Sequence, residues 1–183
     1  MYLYPRSMSE ESKELITLDR RGDLSPRVAF LFSMMDKTRE RLLRSVDGLS
    51  DDELDYSPDM ENVETIGTLL LHIAGVEWSW IFEDIDGEEM DYEKWKHAFA
   101  LREEGLAQLT KQGLQFYIDR LAAVRSQVFL RLRNLDDSNL HVLVDVGSAE
   151  VSIEWILFHI LEHEAMHIGQ ISVLKRLAKT SGN

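Results

Sequence analysis

Between Ser152 and Lys179 the chain places Ile153, Ile156, Ile160, His163, His167, Gln170, Leu174 and Leu177 at alternating steps of three and four. That spacing puts all eight on one face of an α-helix, and a helix of this length must bury the stripe against other elements. Two imidazoles and an amide interrupt an otherwise aliphatic seam. Burying such groups is costly unless each is satisfied, and imidazoles at i and i+4 are spaced to share a metal ion.

A His-x-x-x-His pair recurs by chance in many helices, so a third ligand carries the argument. Upstream, Leu69, His72 and Val76 fall on the apolar side of a second helix expected from about Glu64 to Asp84. Three neutral imidazoles from two packed helices leave one coordination position open, as catalytic sites do. His159, one turn before His163, has the spacing to pair with it but lies one step off the stripe, beside Phe158. We expect it to wall the pocket or to sit behind the ligands. Gln170, read as a buried amide, is expected to hydrogen-bond a ligand or a neighbouring helix. His97, in a charged run, and His141, beside a polar turn, read as surface or packing residues.

Two more stretches keep helical spacing. Ser25 and Pro26 suit an N-cap and a first helical turn, and Val28, Leu31, Met35, Leu42 and Val46 follow until Gly48. From Gly113, Leu114, Ile118, Leu121, Val128, Leu132 and Leu135 share a side, with Arg120, Arg125, Arg131 and Arg133 mostly elsewhere. The pattern predicts an all-α protein of four long helices. The connection at 50–58 has room for one helical turn. The connection at 86–112 is too long for a structureless loop and is expected to hold one or two short helices bordering the site. Residues 140–151 alternate around Gly147, as a short hairpin or an extended link does. Residues 1–24 read as an N-terminal arm, 25–183 as the helical domain, and the last three residues as a frayed tail.

A chain of 183 residues suits one domain with a sizeable core. Its 20 basic against 33 acidic residues give a net charge of -13, which repels a polyanion and argues against nucleic acid as a partner. The basic clusters Arg39-Arg41-Arg44 and Lys175-Arg176-Lys179 read as exposed helix faces, the second placed to favour a helix C-terminus. No run of about 18 apolar residues is present to span a bilayer. Met1 to Lys13 carries charge where a secretory signal needs an apolar core, so no membrane and a cytoplasmic location are expected. There is no cysteine, which removes disulfides, thiolate ligands and a cysteine nucleophile together. Any thiol chemistry needs a thiol from outside.

The order of parts resembles the DinB-like superfamily, including the YfiT-like metalloenzymes. The residues that carry the resemblance are Leu71-His72-Ile73-Ala74-Gly75-Val76-Glu77 and His159-x3-His163-x3-His167-Ile168-Gly169-Gln170-Ile171, above all the closing His-x-Gly-Gln-Ile. It covers about Leu24 to Lys179. It implies an up-down-down-up four-helix bundle with short accessory helices, one divalent ion on His72, His163 and His167, and a homodimer. This chain has Ile168 where members often carry a basic residue. The family includes transferases and isomerases that use mycothiol or bacillithiol, and proposed hydrolases.

Two reactions on a small-molecule substrate follow from such a site. One is an S-transferase, in which an external low-molecular-weight thiol is deprotonated at the metal and attacks a small electrophile. The other is a hydrolase using metal-activated water and a nearby base. Glu77 and Glu164 are the carboxylates available as that base. Neither shares a helical face with its histidine, so both read first as solvated or outer acids. A third reading is a non-catalytic bundle that binds a metal or ligand, or dimerises, with Trp78, Trp80 and Trp155 as core and interface packing. For three imidazoles zinc and nickel come first, with iron, cobalt and manganese behind.

Overall fold

The computed structural model describes residues 17–18, 21–58, 63–99 and 111–181. Most of the expected arm, residues 100–110 of the long connection and the last two residues of the tail lie outside that set. Four long helices form as the spacing predicts: α1 (Pro26–Val46), α3 (Ile66–Trp78), α5 (Gly113–Leu132) and α6 (Ile153–Ser181). Two short ones accompany them, α2 (Asp51–Leu54) in the first connection and α4 (Tyr92–Phe99) in the long one.

Side-chain contacts fix the helix directions. Arg27 meets Glu154, Arg39 meets Glu164 and Lys175 reaches the Ser45 carbonyl, so α1 and α6 run the same way. Gly67 packs on Tyr117 and Glu77 on Arg125, so α3 and α5 are also parallel to each other. Phe32 meets Phe129 while Asp36 meets Arg125, which sets α1 against α5. The result is the up-down-down-up bundle. Its core is the sum of four apolar stripes: Val28, Phe32, Met35, Leu42 and Val46 from α1, Ile66, Leu70 and Ile73 from α3, Leu121, Val128 and Leu132 from α5, Ile156, Leu157 and Ile171 from α6. Each such side chain contributes about 1.5–3 kcal/mol on burial.

Helix ends show where local chemistry departs from expectation. Ser25 occupies the N-cap position of α1 but its side chain makes no capping bond. Its hydroxyl instead donates to Asp137 at 2.6 Å, and the same carboxylate oxygen accepts from the Arg27 amide at 2.9 Å. A residue from beyond α5 therefore satisfies the free amides of α1. Thr65 caps α3 through the Thr68 amide, and Ser152 caps α6 through the Trp155 amide. The second helix does not continue as α-helix to Asp84: from Ser79 to Ile85 it widens into a π-helix, a change that a 3.6-residue period cannot register. Residues 140–151 form the hairpin, β1 (Leu143–Asp145) against β2 (Glu150–Ser152), with Val144 opposite Val151 and Gly147 at φ 79° in the turn. No helix among the described residues is long and apolar enough to cross a membrane.

Candidate metal centre

Because α3 and α6 are antiparallel and adjacent, His72 in the middle of α3 lies across from His163 and His167 in the middle of α6. The His163 Nε2 atom is 3.1 Å from His72 Nε2 and 3.0 Å from His167 Nε2. Among the described residues, these three offer ligand atoms that all lie within 4.8 Å of one another. The other ring nitrogens are held from behind. His72 Nδ1 donates to the Ala98 carbonyl at 2.8 Å, and His167 Nδ1 donates to Gln170 Oε1 at 2.7 Å. Both rings therefore carry their proton on Nδ1 and aim an Nε2 lone pair inward. The His163 Nε2 proton can satisfy one of those lone pairs, not both, whereas a cation satisfies all three nitrogens together. A tetrahedral ion with nitrogen at 2.0–2.1 Å separates its ligands by about 3.4 Å, a few tenths of an ångström more than His163 Nε2 stands from each of its two neighbours.

Close packing makes this arrangement possible. A Cβ on Gly75 would stand 2.6 Å from the Ala98 Cβ, so only a glycine one turn beyond His72 lets α4 approach near enough to present its carbonyl. Burial then sets the charge state. It pushes His163 down to about 3, reinforced by the neighbouring His167, His72 and His159 rings. It lowers His72 as well, partly opposed by the bond that ring donates to the Ala98 carbonyl, and lowers His167 against the bond it donates to Gln170. All three are neutral at neutral pH, the form in which imidazole binds metal.

The remaining histidine of the motif lies to one side. His159 stacks on Trp155 with centroids 4.7 Å apart and planes 6° from parallel, and meets Trp80 edge-on at 5.2 Å. Its ring is 6.1 Å from His163, so it walls the site rather than joining the cluster. The Phe99 ring stands edge-on to His72 at 6.4 Å on another side. Gln170 bonds a triad imidazole, but it is exposed rather than buried. Of the stripe read from sequence, Ile153, Ile156, Ile160, His167 and Leu174 are buried; Leu157, Glu164 and Ile171, each one position along, are buried beside them, while His163 and Gln170 lie on the flank.

Glu164 and Glu77 are therefore not solvated acids; each is 1% exposed. Arg39, read from sequence as part of an exposed face, is buried with them, and so is Arg125. Arg39 bonds Glu164 through Nε at 2.7 Å and Glu77 through Nη2 at 2.7 Å, and its Nη1 donates to the Leu121 carbonyl. Arg125 bonds both oxygens of Glu77, Glu164 at 3.1 Å and the half-buried Asp36 at 3.2 Å. One charged residue from each long helix thus meets at the bundle centre. Burial raises the Glu77 carboxyl, but Arg125 and Arg39 together outweigh it and hold the group ionised. These carboxylates are occupied by guanidinium groups, and both belong to the two helices that carry the histidines. Sequence reasoning missed the two arginines and the Ala98 carbonyl. The arginines had a signal, since Arg39 continues the Val28, Phe32, Met35 spacing to Leu42 and Val46. The carbonyl had none.

Comparison with known proteins bears on the same region. A family model described as the DinB superfamily matches residues 34–171, which include all three histidines. The uncharacterized protein YkkA of Bacillus subtilis is 23% identical over 163 residues, 87% of this chain and 92% of that protein. A conserved protein from Enterococcus faecalis, known from its crystal structure, aligns with TM-score 0.68 at 18% identity. That match covers 84% of this chain and 97% of the other and shows a common fold.

Proposed function

We propose that this chain, which belongs to the DinB superfamily, holds one divalent transition-metal ion on His72, His163 and His167 and joins an intact low-molecular-weight thiol, through its sulfur, to a small electrophile. The observation that carries this reading is the convergence of three Nε2 atoms, two of them fixed with their lone pairs inward by the Ala98 carbonyl and the Gln170 amide oxygen. The ion proposed is zinc or nickel, both of which accept imidazole nitrogen. Bound there, the ion supplies Lewis acidity that favours deprotonation of a thiol or water beside it. Burial keeps His72, His163 and His167 unprotonated, with repulsion from neighbouring rings adding to it at His163 and His167, so they are ready to bind without first losing a proton.

The carboxylates favour transfer over hydrolysis. Hydrolysis by activated water calls for a base beside the site, and Glu77 and Glu164 are committed to Arg39 and Arg125. A thiol, whose pKa is already near 8.5, reaches its nucleophilic form without such a base. The chain has no cysteine, so the sulfur comes from a separate molecule. The cytoplasm, where small thiols stay reduced, is the compartment this reading implies. A homodimer belongs to the same reading; the exposed Trp155, Phe158 and Met166 along α6 support a second copy as partner.

The test is a cobalt-substituted full-length protein titrated with 2-mercaptoethanol. A saturable sulfur-to-cobalt charge-transfer band, absent with the corresponding thioether, is expected. A spectrum indifferent to thiol, together with metal-dependent ester or amide cleavage, overturns transfer in favour of hydrolysis.

A further inference from the structure

Beyond the triad, on the side away from Trp80 and Trp155, residues of α3 and α6 border a further cavity. It is a pit of about 280 Å³. Leu69 of α3 and Val173, Leu174 and Leu177 of α6 supply much of its wall, with Glu64 and Gln170 as its polar members. Leu69 is one turn before His72 and Gln170 one turn after His167, so the pit adjoins the site. Gln170 belongs to both. Its Oε1 accepts from His167 Nδ1, and its exposed amide N–H groups have room to donate to whatever lies in the pit.

We propose that this pit binds an uncharged, apolar small molecule carrying one hydrogen-bond-accepting oxygen, that the oxygen accepts from Gln170 Nε2, and that this is the side from which the electrophile meets the triad. The carbon-lined wall selects an apolar body. A net charge of -13 disfavours an anion. Two turns of α6 enclose a ring with a short substituent; they do not accommodate a helix. Binding stands on this geometry alone. Its assignment to the electrophile rests on the transferase reading above.

The experiment uses full-length protein with labelled Val and Leu methyl groups, zinc-loaded and metal-free, titrated with acetophenone, ethylbenzene and benzoate. Acetophenone is expected to shift the Val173, Leu174 and Leu177 methyls saturably in both forms, ethylbenzene to bind more weakly, and benzoate not to bind. Gln170→Met is expected to weaken acetophenone about three- to tenfold, the worth of one hydrogen bond, and to leave ethylbenzene unchanged. Val173→Trp, at an exposed position, fills the mouth and weakens both. Shifts confined to the Trp80 and Trp155 end, benzoate binding as well as acetophenone, or no saturation overturns the site.

The electrophile assignment is read with phenacyl bromide and a small thiol. The sulfur forms the new bond to carbon, bromide leaves with the electron pair of the broken bond, and the thiol proton passes to solvent. Val173→Trp is expected to raise KM for phenacyl bromide about tenfold while the thiol-induced cobalt band persists. An unchanged KM with that band intact overturns the assignment and spares the transferase reading. Loss of the band in the parent protein overturns the transferase reading, and the pit then stands or falls by the methyl shifts.

Discussion

Replacing Arg125 with methionine removes one of two cations from the centre of the bundle and keeps most of the buried volume. In the parent, Arg39 and Arg125 face Glu77 and Glu164, all four buried, with Asp36 at the edge. In the variant one guanidinium faces two buried carboxylates, and Glu77 loses both bonds from Arg125. Breaking a buried ion pair from one side costs about 3–5 kcal/mol. Against a total stability of about 5–15 kcal/mol this is a large share. For a chain of this size it lowers Tm by about 6–20 °C. Urea unfolding followed by circular dichroism at neutral pH reads the loss directly. The double variant Arg125→Met with Glu77→Met removes the stranded charge together with its partner and leaves Arg39 bonded to Glu164. It is expected to be more stable than Arg125→Met alone. A single variant within about 1 kcal/mol of the parent, or a double variant whose loss equals the sum of the single losses, refutes the network as described.

Alanine at His72 or His167 is expected to abolish stoichiometric metal binding by equilibrium dialysis, while His159→Ala weakens it only modestly; equal loss at His159 and His72 shows that the wrong imidazole has been assigned. Gly75→Ala drives a methyl into Ala98 and should cost about 1–3 kcal/mol of stability. By displacing the carbonyl behind His72 it should also weaken metal binding about 10–100-fold, measured by competition with a chelating dye. The metal-free protein should lose stability on acidification. His163 protonates near 6.5 when unfolded and near 3 when folded, so between those values the unfolded chain holds more protons. The contribution is complete above about 6.5 and is lost as pH falls toward about 3. Urea midpoints at about pH 7 and about pH 5 should differ more in the parent than in His163→Gln, and equal differences contradict the depressed pKa.

Legibility of the fold and of the site had different physical sources. The four helices announce themselves through apolar periodicity, and α3 and α6 each carry that period through the histidines, which is why the triad can be chosen from sequence. Periodicity fixes a face only to within about one residue, since adjacent side chains on a helix differ by about 100° and a buried stripe is that wide. Glu164 beside His163 therefore reads as off the stripe, yet it is the deeper of the two. The same uncertainty hides Arg39 and Arg125, although each falls on its helix's run of threes and fours. A buried charge is recognisable in sequence only once its partner is known, and these partners lie on other helices. The π-helix at Ser79–Ile85, the capping of α1 by Asp137 and the Ala98 carbonyl behind His72 depend on how distant segments meet. No local pattern encodes them.

The central claim is that three imidazoles hold one ion. The most direct measurement is metal content by mass spectrometry on protein purified without a histidine tag, for the parent and His163→Ala in parallel. Near one divalent ion per parent chain and none in the variant is the predicted result. No bound metal in the parent, even after reconstitution with zinc or nickel, or equal metal in both proteins, contradicts it.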